Sequence, residues 1–131
     1  MTSAPAVLVV DDDEDMRDLL CEVLAHRGFT ATPLPSAQAC LEILAAVPAA
    51  VVVTDVEMPE MTGLELCETV RQRHPHVIAI VVSGRVDGAV SRAAAAAGAF
   101  HFLRKPIQVA QIEDVLRRAF AVLARRIDRP I

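Results

Sequence analysis

Short runs of consecutive apolar residues alternate along the chain with longer stretches where apolar residues recur every three or four positions. Ala6–Val10 (AVLVV) is a continuous apolar run, the pattern of a strand covered on both faces. Met16, Leu19, Leu20, Val23 and Leu24 then repeat at helical spacing, and Gly28 stops that helix. A weaker strand is expected over 29–32, broken by Pro33 and Pro35. Ser36 caps a second helix that carries Cys40, Leu41, Leu44 and Val47. A buried strand over 50–54 leads into a loop through Met58, Pro59 and Gly63. Leu64, Cys67 and Val70 mark a third helix ending near Pro75. A fourth strand follows over 77–82, and Asp87 caps an alanine-rich helix that reaches Gly98. A fifth strand spans 99–103. Val109, Ile112, Val115, Leu116, Ala119, Val122 and Leu123 form the inner face of a long last helix.

This order is (βα) repeated five times. Strands alternating with helices predict an α/β fold, a doubly wound parallel five-stranded sheet with right-handed crossovers. The length of 131 residues fits one domain over 1–131, with its core over about 5–126 and a short tail over 127–131. The ending ARRIDRPI suits either the finish of a protein or the start of a linker to a further part.

Hydrophobic residues make up 53% of the chain and Gly plus Pro only 13 positions, which argues against disorder. A net charge of −4 gives no general nucleic-acid footprint. Cys21, Cys40 and Cys67 sit within apolar helical patterns and form no CxxC pair, as expected of buried thiols in a reducing compartment. The start MTSAPAVLVV lacks the basic opening of a signal peptide, and no apolar run approaches ~20 residues. A soluble, cytoplasmic protein without a membrane partner is expected.

The charged residues change the picture at the strand ends. The first strand runs straight into five acids, Asp11, Asp12, Asp13, Glu14 and Asp15. Asp55 follows the third strand, Ser83 and Gly84 the fourth, Lys105 and Pro106 the fifth. In open parallel sheets ligands gather outside the carboxyl ends of the strands, so these residues are expected at one site. Three close carboxylates need a counter-charge. A hard divalent cation such as Mg²⁺ supplies it, taking one or two carboxylates, waters and a phosphate oxygen. Lys105 adds a second positive centre and Ser83 a neutral donor, which leaves Asp55 as a nucleophile toward phosphorus. Asp13, Glu14 and Asp15 read as helix-start charges that complement the helix dipole.

The segments VLVVDDDEDMRDLL, VVVTDVEMPEMTGLEL, IVVSG and GAFHFLRKPI resemble, in order and spacing, the receiver domain of bacterial response regulators, including its single-domain chemotaxis-type members. The resemblance covers nearly the whole chain. It implies the flavodoxin-like sheet order 2-1-3-4-5. It implies two-component phosphorelay signalling: a sensor histidine kinase or histidine phosphotransfer protein donates a phosphoryl group, with Mg²⁺ or Mn²⁺ as cofactor. By the resemblance, Asp55 is the phospho-acceptor, Asp12 the direct metal ligand and Asp11 its partner acting mainly through water. The Glu57 backbone carbonyl is a further metal ligand. Ser83 is the switch hydroxyl, Lys105 the phosphate-binding lysine with a cis bond to Pro106, and Phe102 the switch aromatic, in a position where many members have Tyr. The output is partner binding or self-dimerisation through the face made by the fourth helix, fifth strand and fifth helix. Such a domain is a signalling switch, and catalyses only its own phosphorylation and slow dephosphorylation.

Glu57, two residues after Asp55, and Arg85, two after Ser83, are expected at the pocket rim as an ion pair slowing attack by water. Two other functions fit the residues. One is a pseudo-receiver that binds a partner without phosphorylation. The other is a haloacid-dehalogenase-like phosphatase, which Asp55-Val56-Glu57 faintly resembles, although the second acid is Glu and no cap domain fits the length.

Overall fold

The computed structural model describes residues 6–47, 49–85 and 87–128. Five strands, β1 (Ala6–Val10), β2 (Thr30–Leu34), β3 (Val51–Asp55), β4 (Ile78–Ser83) and β5 (His101–Arg104), alternate with five helices. The helices are α1 (Glu14–His26), α2 (Ala37–Ala46), α3 (Gly63–Arg73), α4 (Gly88–Ala96) and α5 (Val109–Asp128). All four pairings are parallel, and the sheet order is β2-β1-β3-β4-β5. The alternation of apolar runs predicts the parallel α/β sheet, and its strand order is the flavodoxin-like one that the resemblance implies.

The continuous apolar runs form the middle of the sheet because both of its faces are covered. Side chains alternate across a strand. Val7, Val9, Val51 and Val53 therefore pack with Leu24, Ile112, Val115, Leu116 and Ala119 on one side. Leu8, Val10 and Val52 pack with Cys40, Leu41, Leu44, Leu66 and Val70 on the other. A third cluster joins Val56, Cys67, Ala79 and Val81 to Val90, Ala94 and Ala97, with Phe102 at its margin. Among the described residues, no helix is long and apolar enough to cross a membrane.

The second strand departs from its expected bounds. It runs over Thr30–Leu34 and includes Pro33, paired with Val9. A proline is tolerated there because β2 is an edge strand, with a free side for the position that lacks an N–H. The third, fourth and fifth strands each begin one or two residues later than expected and each end one later, so Asp55 and Ser83 are the last residues of β3 and β4. The last helix continues two residues into the expected tail, to Asp128, while residue 5 and residues 129–131 lie outside the described residues.

Local signals set the helix starts beside the strand ends. Asp13 caps α1, its Oδ1 accepting from the backbone N–H groups of Asp15 and Met16, with Glu14 and Asp15 in the first turn. Thr62 caps α3 through a reciprocal box with Glu65, a T-x-x-E signature visible in the chain. Asp87 accepts from Val90 N–H at the start of α4. These caps fix short connections, which bring Asp11, Asp55, Ser83 and Lys105 to the carboxyl end of the sheet.

Candidate functional site

Carboxylate oxygens of Asp11, Asp12 and Asp55 all lie within 4.8 Å of one another. Asp11 and Asp55 are buried, whereas Asp12 is exposed at the mouth. Lys105 reaches in from the β5–α5 connection, its Nζ 3.2 Å from Asp55 Oδ1 and 3.7 Å from Asp11 Oδ2. The Lys105–Pro106 peptide bond is cis. Three hydrogen bonds hold the Asp11 end: its N–H donates to the Leu34 carbonyl at 3.1 Å, Asp13 N–H donates to Asp11 Oδ1 at 2.9 Å, and Arg17 Nη1 donates to the Asp11 carbonyl at 3.0 Å.

Opposing effects meet at Asp55. Burial pushes its carboxyl up to about 6, and the Lys105 ammonium opposes that rise only in part. The carboxylates of Asp11 and Glu57 add to it. Lys105 is itself partly buried, which disfavours its charge, but the fields of Asp55, Asp11 and Glu57 outweigh burial and hold it above the usual lysine range. Asp55 Oδ1 is buried and accepts no well-formed hydrogen bond from the described residues, although Lys105 stands at ion-pair distance. Three carboxylates thus face one ammonium, which leaves the cluster with excess negative charge around a buried oxygen that has no well-formed hydrogen bond. Hard oxygen donors of this number and charge suit a divalent cation such as Mg²⁺.

The loop after Asp55 is tightly built. Met58 N–H and Gly63 N–H both donate to the Val56 carbonyl, at 3.2 and 2.9 Å. Gly63 packs so closely on the end of β3 that a Cβ there would overlap the Asp55 carbonyl oxygen and lie 2.9 Å from Val56 Cα. Glu60 adopts a left-handed conformation, φ 68°, which costs a non-glycine residue about 1 kcal/mol. The sequence places Gly63 only in a loop; its contact with Asp55 is long-range and leaves no local pattern. The Arg17 contact with the Asp11 carbonyl escapes sequence reading for the same reason.

Ser83 is fully buried at the end of β4. Its Oγ donates to Glu57 Oε1 at 2.6 Å and accepts from Arg85 N–H at 3.1 Å. The rim pair expected between Glu57 and Arg85 is not formed. Glu57 is taken by the Ser83 hydroxyl, and Arg85 pairs with Asp87 at 3.2 Å. The reason is proximity: Asp87 lies two residues along the same loop, whereas a buried hydroxyl requires an acceptor and finds Glu57. Phe102, opposite Val81 in β5, is half-buried against the third cluster. A shallow cavity of about 290 Å³ between α4 and β5 is lined by Ala94, Ala95, Ala99 and Phe102 among others.

Comparison with known proteins gives a concordant result. The family model described as the response regulator receiver domain matches residues 7–117. The C4-dicarboxylate transport transcriptional regulatory protein DctD of Rhizobium meliloti is 34% identical over 119 residues, covering 91% of this chain and 26% of that protein. The DNA-binding transcriptional regulator NtrC of Escherichia coli is 35% identical over 115 residues, covering 88% and 24%. This chain therefore spans about a quarter of the length of these curated relatives. A solved receiver domain protein of Clostridium thermocellum superposes with a TM-score of 0.84 at 25% identity, over 89% of this chain and 94% of that one.

Proposed function

The chain belongs to the response regulator receiver domain family, and from that premise we propose that it is a phosphorylation switch whose acceptor is Asp55. The single observation that carries this reading is the convergence of Asp11, Asp12, Asp55 and Lys105 around a buried Asp55 oxygen that lacks a well-formed hydrogen bond. The donor is a phosphohistidine on a sensor histidine kinase or a histidine phosphotransfer protein. The receiver unit occupies residues 1–131 and works in the cytoplasm. No particular observation favours the pseudo-receiver or the phosphatase.

Asp11, Asp12 and Asp55, with the Glu57 backbone carbonyl, would hold Mg²⁺ or Mn²⁺. A bound divalent ion supplies the positive charge that three carboxylates and a phosphoryl group require. An Asp55 carboxylate oxygen attacks phosphorus. The P–O bond forms as the donor's P–N bond breaks, and the imidazole nitrogen keeps the electron pair and takes a proton from solvent. Lys105, already 3.2 Å from Asp55, neutralises charge on the transferred oxygens. Ser83 supplies a hydroxyl proton to a phosphoryl oxygen once the group is in place. Its inward movement lets Phe102 follow, and remodels the face of α4, β5 and α5 for an effector or a second copy. The small side chains that line the cavity between α4 and β5 leave room for that change.

The donor has to bring its phosphohistidine to the strand ends. An apolar groove of about 330 Å³, lined by Met16, Leu19, Leu20, Pro106 and Ile107 among others, borders them directly after Lys105. Leu19 is 56% exposed, a large apolar side chain available to a partner.

Lys105→Met separates two roles of the lysine. The variant is expected to bind Mg²⁺ several-fold more tightly in calorimetric titration, because a competing cation leaves the carboxylates. Its phosphorylation by acetyl phosphate is expected to slow by about 100-fold, the usual effect of removing one preorganised charge from a transition state. An unchanged phosphorylation rate would remove Lys105 from the chemistry.

A further inference from the structure

We propose that Glu57 is a latch on Ser83, a positioning residue that holds the switch hydroxyl in its unphosphorylated arrangement. The latch rests on the reading of Asp55 as phospho-acceptor and Ser83 as the responding hydroxyl. A serine hydroxyl has one proton to donate. Here that proton goes to Glu57 Oε1 at 2.6 Å, a short bond of the charge-assisted kind.

The rest of the serine is equally committed. Its Oγ accepts from Arg85 N–H, and the residue is fully buried, so no solvent competes for the hydroxyl. Glu57 itself is exposed, anchored by a loop that leaves β3 only two residues before it. The Arg85 guanidinium pairs with Asp87 and so does not draw Glu57 away from the serine. A phosphoryl oxygen on Asp55 can gain the Ser83 proton only if Glu57 gives it up. The two acceptors are mutually exclusive partners of one donor, and the hydroxyl reports which of them holds it.

The latch makes two contributions that must be told apart. Glu57 repels an incoming anion through its charge, whatever stands at position 83. It also binds the hydroxyl, and this second effect exists only while Ser83 is present. A double-mutant cycle separates them. Wild type, Glu57→Ala, Ser83→Ala and the double variant are titrated with beryllofluoride at saturating Mg²⁺, as a phosphoryl mimic on Asp55. The amide resonances of Ser83 and Arg85 are followed in the fluoride-free proteins.

Glu57→Ala is expected to bind beryllofluoride about tenfold more tightly than wild type, a change typical of releasing one hydrogen bond to a charged group. In the Ser83→Ala background the gain should fall to the small remainder owed to charge. Without beryllofluoride, Glu57→Ala should move the Ser83 and Arg85 amides, a response that loss of a distant charge would not give. An equal gain in both backgrounds, or no gain in either, overturns the latch while leaving the phospho-acceptor reading intact. A wild type that takes up no beryllofluoride at any Mg²⁺ concentration overturns that reading, and the latch with it.

Discussion

Gly63→Ala is expected to destabilise the protein by about 3 kcal/mol, the upper part of the range for forcing an extra methyl group into a filled space. The added Cβ would overlap the carbonyl oxygen of Asp55 and crowd Val56 Cα, and both are backbone atoms of the strand end and the loop that follows it. A flexible side chain could turn aside; backbone cannot without moving β3 away from α3. The strand end is held by other bonds that resist such a shift. Thr54 Oγ1 donates to the Asp55 carbonyl at 3.0 Å, and Val56 N–H donates to the Val82 carbonyl at 2.9 Å. Urea unfolding should show the midpoint lowered with an unchanged slope. Phosphorylation of the folded fraction should fall as well, because Asp55 is the residue displaced. A stable Gly63→Ala protein with normal phosphorylation would contradict the close approach.

Asp55→Asn is expected to stabilise the protein in EDTA at pH 7.5 by on the order of 2 kcal/mol, from a shift of about two pH units at 1.36 kcal/mol each with some discount for relaxation. Burial raises the folded Asp55 carboxyl to about 6 from 3.8. The fold therefore favours the protonated acid. Its stabilising contribution is full below about pH 4 and is lost as the pH rises through about 6. Asparagine has no such loss. The advantage of the variant should appear between about pH 4 and pH 7 and vanish below about pH 4, where the side chains at position 55 are neutral in both proteins. Melting temperatures of the two proteins measured across about pH 3.5–8 test the window. Saturating Mg²⁺ should narrow the gap, because a cation that binds the folded wild type more tightly than the variant adds stability by mass action. A wild type as stable as the variant at pH 7.5 in EDTA would mean that the acidic cluster is not strained.

Much of this arrangement is legible in the chain. The middle strands are continuous apolar runs because both faces of the sheet are covered, and that pattern survives in the sequence. Asp11, Asp12, Asp55 and Lys105 can be assembled because each follows a predicted strand, and the doubly wound topology sends all strand ends to one edge. The edge strand is harder to place because Pro33 reads as a breaker, and only its position at the edge makes it acceptable. For Glu57 the sequence suggests the wrong partner. Opposite charges near one rim point to Arg85, but the need of a buried hydroxyl and the nearness of Asp87 decide the outcome. Gly63 and Arg17 do not stand out as site residues, since close packing on a carbonyl and a bond to a carbonyl leave no periodicity to read. The block of five acids divides as the dipole argument requires: Asp11 and Asp12 face the site, while Asp13 caps α1 and Glu14 and Asp15 fill its first turn.

The most direct test of Asp55 as phospho-acceptor is intact-mass spectrometry after incubation with acetyl phosphate. With Mg²⁺, the wild type should gain the mass of one phosphoryl group, and should gain none in EDTA. Asp55→Asn, folded and at least as stable, should gain none in either condition. A wild type that stays unmodified in Mg²⁺, or an Asp55→Asn protein modified as readily as wild type, would contradict the assignment of Asp55.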